Sequence, residues 1–236
     1  MNKCAIITYI ITLLPLFTCF SQEPSLDSFI DPRDGKVYHT IVINGKTWMA
    51  ENLAFLPKVD SPSHEFDNQP HYYVYGYYGN EIKDLEKDSV YAKYGALYNW
   101  YSAIDACPTG WVLPTDEDWI ELEKYLGMDA SETKKYYSRY TGRVGLKLKK
   151  IGSWKSATDL IKFGVLPGGQ RYYGNVNDPN ENGDFAGLGQ RAFFWTSSKG
   201  ERKGSVIRRQ LEQDSEAIIR FPINMQLGYS VRCIKK

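Results

Sequence analysis

The chain has 236 residues, with 29 basic and 28 acidic side chains and a formal net charge of +1. This balance excludes the basic footprint of a nucleic-acid-binding protein at the level of the whole chain, so we expect no nucleic-acid partner. Hydrophobic residues make up 42% of the chain and aromatic residues 14%, which is enough for the core of one domain.

The first residues have the layout of a secretory signal. A short basic start precedes an apolar run from Ala5 to Phe17, and small or polar residues follow. This run is too short for a comfortable membrane span. We expect residues 1–21 to be removed by a cut that leaves Gln22 first. The alternative is a lipid anchor on Cys19, since Leu16 stands three residues before it. In both cases we expect an extracytoplasmic protein that is secreted, periplasmic or on the outer-membrane surface, with membrane contact only through such an anchor.

Export leaves Cys107 and Cys233 as the cysteines of the mature chain. In an oxidising compartment such a pair favours a disulfide over a redox or metal site. A bridge that closes so long a loop would stabilise the protein by up to about 4–5 kcal/mol in the chain-entropy model. Two buried free thiols are the alternative.

The chain then predicts a linker and one domain. Residues 22–30 are polar and contain a proline, which indicates a linker, and residues 31–236 form the domain. Segments 36–43 and 46–50 flank Asn44-Gly45, a dipeptide typical of a two-residue hairpin turn. Residues 51–94 are irregular, and the tyrosine-rich run YYVYGYY at 72–78 is their one strand candidate.

Two helices are predicted in the middle third. The apolar residues of GALYNWYSAI, residues 95–104, have helical spacing. The stretch CPTGWVLPTDEDW, residues 107–119, then begins a second helix with Thr115 as N-cap and Asp118 three residues later. Its three acids suit the positive end of the helix dipole. We therefore interpret this stretch as scaffold and not as an active site.

The second half of the chain predicts mostly strands. They are residues 164–171, 192–198, 205–211, 216–221 and 228–234, while residues 131–143 are interpreted as a short basic helix. The basic segments at 147–150 and 208–209 are interpreted as solvated faces. Two central helices with short antiparallel strands at both ends predict the α+β class.

The segment DPNENGD, residues 178–184, copies the first half of a calcium-binding EF-hand loop. Gly189 stands where a bidentate glutamate is needed, and no helices flank the segment. We interpret it as a turn-rich surface loop and expect no metal or other cofactor. Calcium is the alternative, and its candidate ligands are Asp178, Asn180, Asn182 and Asp184.

Several motifs resemble those of the Fibrobacter succinogenes major paralogous domain. They are DPRDGKVYHTIVINGKTWMAENL near the start, then YGALYNWYSA, CPTGWVLPTDEDW, LPGGQR and FFWTSS, and finally GYSVRCIKK. The resemblance covers roughly residues 31–236 in consistent order. It implies an exported protein of Bacteroidetes-type bacteria, and that family has no established reaction.

The run from Ala96 to the terminal GYSVRC also resembles, more distantly, the core of the formylglycine-generating enzymes. That resemblance implies a C-type lectin-like fold whose terminal strands are adjacent. In many lectins of this fold, a cysteine at the first helix pairs with one in the last strand, which implies a Cys107–Cys233 bridge. The enzymes use two nearby late cysteines to bind copper, whereas only Cys233 is late here. We therefore expect no catalytic residues and no enzyme activity.

What remains is a non-catalytic binding or adhesion module for a glycan or a cell-surface protein. Aromatic rings with polar tips suit such surfaces. The candidate ligand-binding residues are Tyr73, Tyr75, Tyr77, Trp154, Arg171 and Tyr173, and the wider pool adds Tyr72, Tyr78, Tyr172 and Trp195. We interpret Trp195 as core, and strand alternation would place about half of the tyrosine run outside. The alternatives are a structural component of a cell-envelope assembly and a formylglycine-generating-like enzyme.

Overall fold

The computed structural model describes residues 26–63, 67–172 and 184–236. Its strands are β1 Asp27–Ile30, β2 Val37–Ile43, β3 Lys46–Met49, β4 Tyr72–Tyr73, β5 Leu97–Tyr98, β6 Trp111–Val112, β7 Tyr137–Arg139, β8 Gly168–Tyr172, β9 Asp184–Leu188, β10 Arg191–Lys199, β11 Ser205–Glu212, β12 Ile218–Asn224 and β13 Ile234–Lys235. Its helices are α1 Ser89–Tyr94, α2 Trp100–Ala103, α3 Asp116–Tyr125 and α4 Val144–Leu148, with 3-10 turns at Ile82–Leu85 and Thr141–Arg143.

The N-terminal hairpin is confirmed. Strands β2 and β3 pair antiparallel across Asn44 and Gly45, whose φ angles are 48° and 76°. Two left-handed residues in a two-residue loop match the twist of the flanking strands. The hairpin belongs to a five-stranded sheet of order β1-β2-β3-β13-β6. Strand β1 pairs with β2, so the last four residues of the segment predicted as a linker are part of this sheet.

A second, six-stranded sheet has the order β7-β12-β11-β10-β8-β9. Strand β10 pairs antiparallel with β11 and parallel with β8, and β11 pairs antiparallel with β12. Alternate residues of β10 pack in two different clusters of buried hydrophobic residues. Phe194 packs with Trp119 of α3, whereas Phe193 and Trp195 pack against Tyr229. The sheet therefore has one face toward α3 and an opposite face, here called the open face.

The predicted fold class is wrong. Among the described residues, strands in three sheets dominate and the four α-helices are short, the longest being the ten-residue α3. The chain is therefore not an α+β, C-type lectin-like domain with two central helices. The first predicted helix fails because Leu97 and Tyr98 pair with β4 as strand β5. Asn99 then caps the four-residue α2. Apolar spacing alone could not separate a strand and a single helical turn from one helix.

The predicted basic helix over residues 131–143 is also wrong. Strand β7 and a 3-10 turn occupy the second half of this segment. Strand β7 completes the edge of the six-stranded sheet by pairing with β12. The strand prediction for residues 228–234 holds only at its end, since β13 covers two residues.

The scaffold interpretation of the stretch 107–119 is confirmed in two respects. The side chain of Thr115 accepts a hydrogen bond from the backbone of Asp118 at 3.1 Å, and the Asp118 carboxylate accepts one from the backbone of Thr115 at 2.8 Å. Together these bonds form a capping box at α3. Cys107 and Cys233 form a disulfide, with Cα atoms 5.9 Å apart and a sequence separation of 126. The bridge links the segment after α2 to the residue before β13.

Candidate functional site

The tyrosine run does not form one surface. Tyr73 is 1% exposed and packs with Phe185, and Tyr75 is partly buried in the same cluster. Tyr77 is half-buried, with its hydroxyl bonded to the backbone of the following loop at 3.0 Å. Tyr78 is exposed. Of these four tyrosines only Tyr78 is exposed, so little of the run is accessible to a ligand.

Two other candidate ligand-binding residues are buried and bind the protein itself. Trp154 is 7% exposed, and its Nε1 donates to the carbonyl of Val165 at 2.7 Å. Arg171 is 1% exposed, and its Nη2 donates to the carbonyl of Pro62 at 2.6 Å. Neither side chain is available at the surface as the sequence interpretation requires. Trp195 is fully buried, and Tyr173 lies outside the described residues.

The calcium alternative falls mostly outside the described residues, which exclude Asp178, Asn180 and Asn182. Asp184 begins β9 and accepts a hydrogen bond from the hydroxyl of Tyr78 at 2.7 Å. Within the described part of the chain, no group of three or more His, Cys, Asp or Glu side chains is placed to hold a metal ion. No helix in the same ranges has both the length and the hydropathy needed to cross a membrane.

Strand β11 carries two consecutive arginines that face opposite sides of the six-stranded sheet. Arg209 is fully buried on the side of α3. Arg208 points to the open face, directly opposite Trp195 on β10 and Phe221 on β12. The interpretation of this pair as a solvated face is wrong, because strand alternation gives its members different environments. The same interpretation is wrong for Lys149, which is fully buried.

The face toward α3 holds a network of paired charges, here called the paired network. Arg209 donates to Glu123 at 2.6 Å and to Asp116 at 2.7 Å. Arg139 binds the other Glu123 oxygen at 2.6 Å, and Arg220 binds Asp116 at 2.6 Å. Burial alone would raise the pKa of Asp116, but its contacts with Arg220 and Arg209 outweigh this effect and lower it. The network fixes α3 against the sheet.

On the open face, Arg208 lies in a groove of about 360 Å³, here called the Arg208 groove. This volume falls within the range of small-molecule sites. Its lining comes from β8, β10 and β11 and from segment 223–229. Residues that line the groove include Gln170, Tyr172, Arg191, Phe193, Gln210 and Tyr229.

The Arg208 guanidinium packs between aromatic rings. Its Cζ lies 5.1 Å from the ring centroid of Phe193, 5.7 Å from that of Tyr229 and 5.9 Å from that of Phe221. Nη1 donates to the amide oxygen of Gln210, while Nε is buried and has no hydrogen-bond partner among the described residues. Cation–π contacts hold the side chain in place but leave donors unused.

The groove is cationic. Burial lowers the pKa of Arg208, electrostatic interactions with Tyr229 and Glu212 partly offset this effect, and repulsion from Arg191 adds to it. The nearest acid along β11 is Glu212, which accepts from the Gln210 amide at 2.6 Å and lies 3.7 Å from Arg191. Across the residues that the structure describes, no carboxylate contacts Arg208. An anionic group in this groove would supply the missing partner.

The sequence contains one signal for this groove, the Arg208-Arg209 pair within a predicted strand. An Arg-Arg pair within a predicted strand must place its two charges on opposite faces of the sheet. At least one face must therefore accommodate a guanidinium next to core residues. The sequence could not show which arginine meets acids, because Asp116 and Glu123 come from a helix far away in the chain.

The model of the Fibrobacter succinogenes major domain matches residues 41–235. The chain belongs to this family. The match includes the end of β2 and all of β3, the paired network and every residue that lines the Arg208 groove. No curated protein and no solved structure matches the sequence. The family description names no ligand or reaction, so the function has to be argued from the groove itself.

Proposed function

We propose that this chain is a non-catalytic extracytoplasmic binding module that holds a carboxylate-bearing sugar in the Arg208 groove. One observation carries the proposal. Arg208 is partly buried among three aromatic rings, and no carboxylate among the described residues contacts it. A planar guanidinium with free donors binds a carboxylate strongly and with defined geometry.

The other groups of the groove suit a sugar. Gln170 and Tyr172 line the wall opposite Arg208, and amide and phenol groups both donate and accept hydrogen bonds, as sugar hydroxyls require. Aromatic rings such as Tyr172 present apolar faces for the C–H groups of a sugar ring. The groove thus combines a charged anchor with a mixed polar and aromatic wall.

A binding role also fits the remaining chemistry and the predicted location. The acid nearest to the groove, Glu212, is bonded to Gln210, and a single engaged carboxylate is a poor basis for acid–base catalysis. The signal layout of residues 1–21 supports a location outside the cytoplasm, where free and polymeric sugars are accessible. Both points support the proposal without carrying it alone.

Calorimetric titration with galacturonate, and with galactose as the neutral match, tests the proposal. We expect tighter binding of galacturonate, because only this sugar can pair with Arg208. Arg208→Met should remove this preference and weaken galacturonate binding by about 10- to 100-fold, as expected for a charge-assisted hydrogen bond worth about 1.5–3 kcal/mol.

The matched control is Lys155→Met, which removes one positive charge at a site where the side chain is 68% exposed and pairs with Asp214. It should keep the preference for galacturonate. Equal affinity for both sugars, or unchanged binding by a folded Arg208→Met variant, would contradict the proposal. Near-UV circular dichroism shows whether each variant is folded.

A further inference from the structure

A second groove of about 550 Å³ lies at the β7 edge of the six-stranded sheet. It is lined by Tyr136, Tyr137, Phe221 and Ile223, and by the turn between β10 and β11. Ile223 also lines the Arg208 groove. Phe221 connects the two as well, since its ring lies 5.9 Å from the Arg208 guanidinium and 5.1 Å from the ring of Tyr137.

Tyr137 has an unusual backbone. Its φ angle is 68°, in the left-handed region that few residues other than glycine adopt, and its side chain is 67% exposed. The register pairs it with Arg220, which faces α3, yet its ring packs on Phe221 of the open face. A left-handed conformation at a non-glycine residue costs free energy, and such strain concentrates at functional sites.

The neighbouring exposed tyrosine shows that this conformation is not general in the segment. Tyr140 is 61% exposed and has a φ angle of −104°, which is ordinary backbone. Of the two tyrosines, only Tyr137 combines a strained backbone and an exposed side chain with a contact to Phe221, whose ring borders Arg208. The strained backbone places the Tyr137 ring in solvent, so burial of apolar surface does not explain the strain.

We propose that the two grooves form one surface for an acidic oligosaccharide, with a carboxylate at Arg208 and a further sugar ring on Tyr137 and Phe221. The proposal rests on the proposed function and extends it from a single sugar to a chain. From Tyr137 on β7 to Arg208 on β11 the sheet order includes two strand spacings, or about 10 Å. This span exceeds one sugar ring.

The surface favours a glycan over an acidic peptide. It crosses the strands on a sheet face, where the backbone N–H and C=O groups of neighbouring strands are paired with each other, whereas a peptide added as a strand would lie along the outer edge of β7. Rings and side-chain amides provide the contacts. At the far end, Arg202 and Lys203 line the turn together with Glu201, whose carboxylate accepts from the Tyr136 hydroxyl at 2.9 Å. This leaves a basic rim for a second acidic unit.

The experiment measures affinity for a series of oligogalacturonates from one to six units. We expect affinity of the wild-type chain to rise by about tenfold or more over the first few units, the size of one aromatic contact at a binding site. In Tyr137→Asn, affinity should rise much less with chain length, because asparagine tolerates the left-handed backbone but lacks the ring. The control Tyr140→Asn should keep the length dependence.

Each outcome is decisive. Binding of galacturonate that depends on Arg208 but not on chain length would overturn this inference and leave the proposed function intact. Absence of binding by every member of the series would overturn both. An undiminished length dependence in folded Tyr137→Asn would overturn the placement of a further sugar ring on Tyr137. Equal affinity for polyglutamate of the same charge would exclude a glycan as the preferred ligand.

Discussion

The two faces of the six-stranded sheet place arginine in different environments. Arg209 is fully buried and contacts two carboxylates, Glu123 and Asp116. Arg208, its neighbour in sequence, contacts rings and one amide on the open face. Burial of a charge is costly on both faces, but only the face toward α3 offsets the cost within the protein. The difference separates an arginine that positions a helix from one whose Nε has no hydrogen-bond partner among the described residues.

The first prediction breaks the paired network. Arg209→Met leaves Glu123 with only Arg139 and Asp116 with only Arg220, so we expect the free energy of unfolding to fall by about 3 kcal/mol, as when one partner of a buried pair is removed. Urea unfolding at neutral pH measures it. Lys155→Met should stay near the wild-type value, because exposed pairs contribute little. A small loss in Arg209→Met would mean that the network is not structural.

The second prediction concerns the helix that brings the acids to this face. Thr115→Ala removes the side-chain cap at the start of α3, and we expect a loss of ~1 kcal/mol in the free energy of unfolding. The control is Thr109→Ala, at an exposed position before β6. Thermal unfolding compares the two variants. If Thr115→Ala instead abolished galacturonate binding without changing the melt, the separation between the two faces would fail.

Much of the local structure was predictable from short-range patterns. Asn44-Gly45 identified the hairpin, and the Thr115–Asp118 spacing identified α3. Strands β10, β11 and β12 followed from their residue types. The expectation that export leaves two cysteines favoured the Cys107–Cys233 bridge, which the structure contains. Each of these predictions rests on residues that are close in sequence or on chemistry with few alternatives.

The fold class and the site depended on contacts that the sequence does not encode locally. Tyr98 belongs to β5 because it pairs with Tyr72 and Tyr229. The apolar residues of its segment nevertheless have helical spacing. Arg171 is internal because distant backbone carbonyls accept hydrogen bonds from its guanidinium. The sequence shows neither the partner strand nor the partner carbonyl. Tertiary pairing therefore overrode the local pattern in both cases.

The last prediction is the smallest change in stability and the sharpest comparison with Arg209. Arg208→Met keeps an apolar stem among Phe193, Phe221 and Tyr229 but removes a guanidinium that no carboxylate among the described residues contacts. The substitution loses the cation–π contacts of the guanidinium but also removes the cost of burying its charge. These two effects oppose each other, so the free energy of unfolding should change by less than about 1 kcal/mol. Galacturonate at 100 times its dissociation constant should then stabilise the wild-type chain by about 2.7 kcal/mol and this variant far less. Urea unfolding with and without the sugar measures both quantities. A loss in the free energy of unfolding close to that of Arg209→Met would show that Arg208 is structural too, because only an arginine whose contacts stabilise the fold should be costly to remove.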